Sequence, residues 1–269
     1  MREFVNTEPM EKDFSLHTYQ DLIEEIKRSG FAILTLKEYF GQKGGASQFV
    51  ILRHDVDRRP HNALKMALLE SSFEIKSTYY FRVSKGTFNR DIVGEIAGLG
   101  HEIGYHYEVV DKAHGDMGLA GHIFEKDLRE LRKVTEICTV CMHGNPLSHW
   151  DNGDFWKHFS FSQFDLLGEA YISVRDQDIY YTTDTGRGWN RIGYNLKDTF
   201  PHSSISLLPS LSTTWHVIDL IRTKQCHKIY LQTHPNRWSW WWLQWYRQMG
   251  EDLLFNCMKV LLAYYHKRK

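Results

Sequence analysis

Short β-rich runs alternate with helix-length segments along most of this chain, and no other feature restricts its fold as much. The strand-like runs are "FVILRHDVD", "KSTYYFRV", "HEIGYHY", "ICTVCMHG" and "KIYLQTHP". Between the first four lie "PHNALKMALLESSF", with Pro60 in its first turn, "FNRDIVGEIAGLG", which ends in glycines, and "GHIFEKDLRELRKVTE". "HTYQDLIEEIKRSG" reads as an amphipathic helix closed by Gly30, and "TTWHVIDLIRTKQ" as the helix before the last strand. Antiparallel neighbours need only a tight turn, whereas a crossover of helical length brings the next strand back parallel. The expectation is α/β, with a parallel sheet that is open or closed into a barrel. Residues 150–212 are less regular. There "AYISVRDQDIYYTTDTGRGWN" suggests strand pieces joined by glycine turns, with "DTGRGWN" as a binding loop.

At 269 residues the chain accommodates one large domain, and it has no repeat, low-complexity tract or linker. The expected layout is a helical lead over 1–48, a core over 49–236 and a Trp-rich helix over 237–269. Lys+Arg and Asp+Glu both number 33, so no general charge draws the chain to nucleic acid or an anionic membrane. No window has the long uncharged apolar run of a membrane span, and the first twenty residues do not read as a secretory signal. The cytoplasm is the expected compartment. Four cysteines fit reduced, mostly buried thiols, and "CTVC" on a strand points its two thiols to opposite faces, which disfavours a zinc knuckle.

In parallel α/β folds chemistry gathers at the C-terminal ends of the strands. The first strand here ends in Asp55 and Asp57, two apart and on one face. Three others end in His106, His143 and His234. Two carboxylates and three imidazoles thus reach one rim. His101, five residues before His106, belongs to the opposite end of its strand and reads as structural. His54, on the other face from Asp55, reads as a neighbour of the site and not a ligand. One Asp and two His suit a divalent ion such as zinc with a position left open. A second carboxylate can then serve as general base and a further histidine as acid, which are the parts of an amide or ester hydrolase.

At these residues the chain resembles the polysaccharide deacetylase superfamily. "RHDVDRRP" is similar to its first motif, "GHEIGYHYE" to its second and "YLQTHP" to its last, in the family order over residues 49–236. The resemblance implies a distorted (β/α) barrel with fewer than eight parallel strands. It also implies metal-dependent deacetylation of amino sugars, with His106 as a metal ligand and His234 as general acid. The family's second metal histidine falls at Val110 here, and His143 is the substitute at the next strand end. Val56 splits the paired aspartates, so position alone leaves their roles open; the expected assignment is Asp57 to the metal with His106 and His143, and Asp55 to the base. The family arginine that orients the base is missing, and Arg53 or Arg58 could stand in.

Arg53, Arg58, Asp184, Arg187 and Trp189 are the candidates for substrate contact, Trp by stacking on a sugar ring and Arg by holding an anionic group. The tail "RWSWWWLQWYRQMG" reads as the start of a helix packed over the barrel, with peripheral membrane contact as the alternative. The leading functional expectation is a deacetylase of a glycan precursor in surface-polysaccharide synthesis. An amidohydrolase for a small non-sugar amide and a silent barrel that binds glycan or a partner are the competing readings.

Overall fold

A computed structural model describes residues 12–41, 46–145, 148–174, 178–189 and 211–266. The last residue of the expected loop "DTGRGWN" and the basic end of the tail lie outside the described residues, as does most of the stretch from 175 to 210. Eight strands alternate with helices: β1 (Ala32–Leu34), β2 (Phe49–Val56), β3 (Thr78–Phe81), β4 (Glu102–Tyr107), β5 (Thr139–Met142), β6 (Gly168–Glu169), β7 (Tyr180–Thr183) and β8 (Lys228–Thr233). The helices are α1 (Leu16–Arg28), α2 (Leu36–Gly41), α3 (Pro60–Ser72), α4 (Arg90–Gly98), α5 (Val109–Lys112), α6 (Met117–Arg132), α7 (Thr214–Arg222) and α8 (Trp242–His266).

Seven strands form one continuous parallel run in the order β6-β5-β4-β3-β2-β8-β7. Followed around, this is chain order with one opening, between β6 and β7. The sheet is therefore a curled half-barrel, and the α/β expectation of a distorted barrel with fewer than eight strands holds for it. The short β1 lies off this run, pairing with Phe49–Ile51 along the edge of β2 whose upper part, Arg53–Val56, pairs with β3. The Tyr230 hydroxyl of β8 donates to the carbonyl of Ala170, just past β6, at 2.9 Å, and so ties the two sides of the opening together.

β2 is buried along its whole length, which explains its unbroken apolar start. Phe49 and Ile51 pack with Tyr80 and Tyr230 in one core cluster. Val50 and Leu52 pack on the opposite face with Tyr19, Leu22 and Ile26 of α1 and with Ile218 and Ile221 of α7. Burial of each such side chain stabilises the fold by roughly 1.5–3 kcal/mol. Gly104 in "HEIGYHY" has a steric reason: a Cβ there would stand 2.1 Å from Cε1 of Tyr80. That ring crosses β4 so that its hydroxyl meets Thr139 Oγ1 at 2.7 Å on β5.

Behind the sheet, Glu70 of α3 gathers a buried polar cluster. It accepts from the hydroxyls of Tyr19, Ser77 and Tyr79 and faces His54 Nε2 at 2.8 Å. His101 precedes β4, with Nδ1 accepting from the Ser77 amide at 3.2 Å and Nε2 at 3.0 Å from the Ala67 carbonyl. Both His54 and His101 are thus spent on structure.

Two expectations are corrected. Of the four thiols only Cys141 is buried; Cys138 and Cys226 are half-buried and Cys257 is exposed, and none is in a disulfide. The tail helix α8 does pack on the body, but through polar side chains. Gln248, Asp252 and Asn256 are its buried positions, bonded to Ser239, to Arg187 Nη1 at 3.3 Å and to the Gly186 carbonyl at 3.0 Å. Trp242, Leu243, Leu253, Leu254 and Phe255 face outward, whereas Trp245 is half-buried and donates to the Asp13 carbonyl at 2.7 Å.

Candidate metal centre

Alternate residues of a strand share a face, so each strand entering the barrel delivers a short column of side chains to its interior. β2 supplies Arg53, Asp55 and, just past its end, Asp57. β4 supplies His106, followed by Glu108, β5 supplies Cys141, followed by His143, and β8 supplies Tyr230 and Gln232, followed by His234.

At the rim Asp57, His106 and His143 converge, with one ligand atom from each lying within 4.8 Å of the others. Asp57 Oδ1 is 3.3 Å from His106 Nε2 and 3.6 Å from His143 Nε2. It is buried and takes no hydrogen bond among the described residues, which is costly for a carboxylate oxygen unless a cation faces it. Burial would raise the Asp57 pKa, but His143, His106 and His234 outweigh it and hold the carboxyl well below its usual range. Burial lowers His143 to about 4, helped by His106 and Arg82, so at neutral pH its ring is uncharged with a lone pair to give. The ring of His106 is oriented by its Nδ1, 3.1 Å from the Cys141 carbonyl, the kind of outer group that fixes metal-ligating imidazoles. His143 Nδ1 lies 3.4 Å from Glu108 Oε2 but makes no hydrogen bond among the described residues. Both rings turn Nε2 toward Asp57. The donor set of one carboxylate and two imidazoles fits a divalent ion.

A second trio, Asp55, His106 and Cys141, also lies close enough to share an ion. Arg53 decides against it. Its guanidinium grips Asp55 from Nε at 2.8 Å and Nη2 at 2.6 Å, and Nη2 also meets Cys141 Sγ at 2.7 Å. A cation between those groups would be pressed against a fixed positive charge. Gln232 Nε2 adds a third donor to Asp55 at 2.6 Å. Burial works to raise the Asp55 pKa, yet Arg53 and then His106 hold it at about 2.

His234 sits across from these groups with Nε2 at 4.0 Å from Asp57 Oδ2. Its Nδ1 is 2.6 Å from both Asp184 Oδ1 and Arg237 Nη1. Asp184 also accepts from the His234 amide at 2.9 Å, Arg237 Nη1 at 2.6 Å and Trp238 Nε1 at 3.0 Å. Burial opposes the charge on Asp184, but Arg237 and His234 lower its pKa and keep it ionised.

The residues proposed for substrate contact fare differently. Asp184 is buried against His234 and holds that ring. Arg53 lies inside the barrel bonded to Asp55, whereas Arg58 faces Glu251 at 3.8 Å and the Phe255 ring at 4.9 Å. Arg187 is enclosed by Asp252 and the rings of Phe14 and Trp245. Trp189 is 1% exposed and bonded to Thr214 Oγ1, with no face open to a sugar. For Arg187 and Trp189 the loop reading is thus replaced by packing, because both find partners far along the chain. Val110 is buried in the core. Sequence reasoning passed over Gln232 and Glu108, although the i, i+2 spacing that linked Asp55 to Asp57 also links Gln232 to His234 and His106 to Glu108. Asp184 ends β7 and would have answered the same strand-end rule. The chain matches no protein-family model and no curated protein.

Proposed function

We propose that this protein is a metal-dependent hydrolase, a divergent member of the polysaccharide deacetylase superfamily that removes acetyl groups from an N-acetylated sugar or glycan precursor. The observation that carries the reading is the buried Oδ1 of Asp57, which takes no hydrogen bond among the described residues and faces Nε2 of His106 and of His143. A divalent ion on these three donors, zinc by their chemistry, supplies Lewis acidity for a carbonyl oxygen. Asp55 is the general base: ionised at neutral pH, fixed by Arg53 and Gln232, and left with a lone pair on Oδ1, which takes one donor only. His234 is the general acid, giving a proton from Nε2 to the departing nitrogen, while Asp184 supports the charged imidazole through Nδ1. The order of the "RHDVD", "GHEIGYHY" and "LQTHP" segments supports the same family.

Metal content of the purified protein, measured beside turnover of N-acetylated sugar nucleotides, tests the proposal. Bound metal and acetate release are expected. Asp55→Asn and His234→Ala should keep the metal and lose about 10²- to 10⁴-fold in rate. Equal turnover in all three proteins would refute the assigned roles. A protein that binds metal yet releases no acetate from any acetylated sugar would point to the small-amide substrate instead.

A further inference from the structure

The helix α8 is amphipathic in the reverse of the usual sense. Its polar stripe of Gln248, Asp252 and Asn256 is buried, and its apolar stripe faces out. Twelve large apolar side chains are exposed among the described residues, and nine of them fall between Trp240 and Met258. Trp240, Trp241 and Trp242 are 59%, 63% and 62% exposed. Scattered exposed apolar residues are ordinary, but a contiguous set this dense marks a contact surface.

Charge indicates what the surface meets. Arg237 is buried against Asp184, and from Trp238 onward the sequence holds five Lys or Arg against two Asp or Glu, in a chain whose totals balance. Both acids are turned away from the apolar stripe and paired, Glu251 with Arg59 at 2.7 Å and Asp252 with Arg187 at 3.3 Å. Arg247 stands out beside Tyr246, 76% exposed, and also pairs with Glu251 at 3.1 Å. Tryptophan and tyrosine favour the headgroup level of a bilayer, and basic residues add attraction to anionic lipid. No helix is long and apolar enough to cross a membrane among the described residues, so the contact is peripheral. Trp240 is the sixth residue after His234, and six residues of chain reach at most about 20 Å. The patch therefore begins within about 20 Å of the candidate site.

We propose that Trp240–Trp242 and the outward stripe of α8 seat the protein on an anionic bilayer, with the site beside the headgroups. Resting on the hydrolase reading for its second half, the proposal makes the substrate an amphiphile that presents its acylated group at the membrane surface.

Co-sedimentation of the full chain with phosphatidylcholine vesicles, with and without phosphatidylglycerol, tests the first half, with tryptophan emission read in parallel. Binding to the anionic vesicles and a blue shift are expected. Trp241→Ser/Trp242→Ser should weaken binding by roughly tenfold or more, whereas Leu119→Ser, exposed on α6, should leave it unchanged. Absence of wild-type binding to anionic vesicles overturns the proposal. So does sedimentation equilibrium showing a dimer that the double substitution dissociates while vesicles bind neither protein, since the stripe would then be a subunit interface. Vesicle binding needs no turnover, so binding without hydrolysis counts against the hydrolase reading alone. Hydrolysis of a soluble acetylated sugar without vesicle binding counts against the membrane contact alone.

Discussion

Asp55 and Asp57 stand two residues apart on one strand face, yet their surroundings separate them. Three donors hold Asp55, while one oxygen of Asp57 is left to two imidazoles. That difference separates a fixed carboxylate from one with an oxygen left open more clearly than position could. His106 supplies a pH test. Burial disfavours its charge, but Asp55 and Asp57 prevail and raise its pKa above the ordinary 6.5. In the proposed centre metal must displace that proton, so metal affinity should weaken as the pH falls. The metal dissociation constant measured across a pH series tests this, and an affinity that does not change with pH would contradict it. Asp184 supplies a second test. Asp184→Asn should lower turnover by about 10²- to 10⁴-fold with metal content unchanged, because the amide cannot support a charged His234. Loss of metal in that variant would show that Asp184 serves the fold or the ligands instead.

At the scale of elements, Glu70 joins α3 to α1, β2 and β3 through four side chains and lies near His101 ahead of β4. Burial alone would raise its pKa, but His54 and then His101 hold it at about 2 against an ordinary 4.5. A depressed carboxyl contributes stability that is complete above the unfolded value and lost as the pH falls toward the folded one. The loss here runs from about 4.5 down to about 2 and is worth about 3 kcal/mol. His101 acts in the same direction at higher pH. Its pKa is lowered by burial, so the unfolded ring takes its proton first as the pH falls through 6.5. Unfolding free energies across this range should show a steep acid limb. Glu70→Gln should cost about 3–5 kcal/mol at neutral pH and flatten the lower part of that limb. An unchanged acid limb would place the sensitivity elsewhere.

For the whole molecule, strand order sets where the sheet is firm. β2 is paired on both edges, with β8 over Phe49–His54 on one side and with β1 and β3 on the other. β6 and β7 flank the opening and have one neighbour each. Amide hydrogen exchange should therefore be slowest in β2, β8 and β3 and fastest at β6 and β7, because local opening at an edge breaks fewer contacts. Protection as strong in β6 as in β2 would mean that the opening is closed in solution. The position of the opening also keeps the rim columns of β2, β4, β5 and β8 on the firm part of the sheet.

How much was legible in the sequence followed from the range of each interaction. Hydrophobic period and strand–helix alternation are local, so β2, β3, β4, β5 and β8 and the residues at their ends could be read directly. The i, i+2 spacing of Asp55 and Asp57 placed both on one face, and His106, His143 and His234 fell at strand ends as expected. β1 and β6, three and two residues long, are too short to carry a period. A strand piece is expected where β7 lies, but Asp184 reads as part of the binding loop and not as that strand's end. What holds each group was not local either. Arg53 meets Cys141 88 residues away, Gln232 meets Asp55 across 177 and Trp189 meets Thr214 across 25. The facing of α8 is the clearest case. Its sequence favours burial of the Trp and Leu stripe, but Arg187, Gly186 and Ser239 offer bonds that only Asp252, Asn256 and Gln248 can take. Periodicity shows that a helix has two faces; the partners brought up by the fold decide which one is buried.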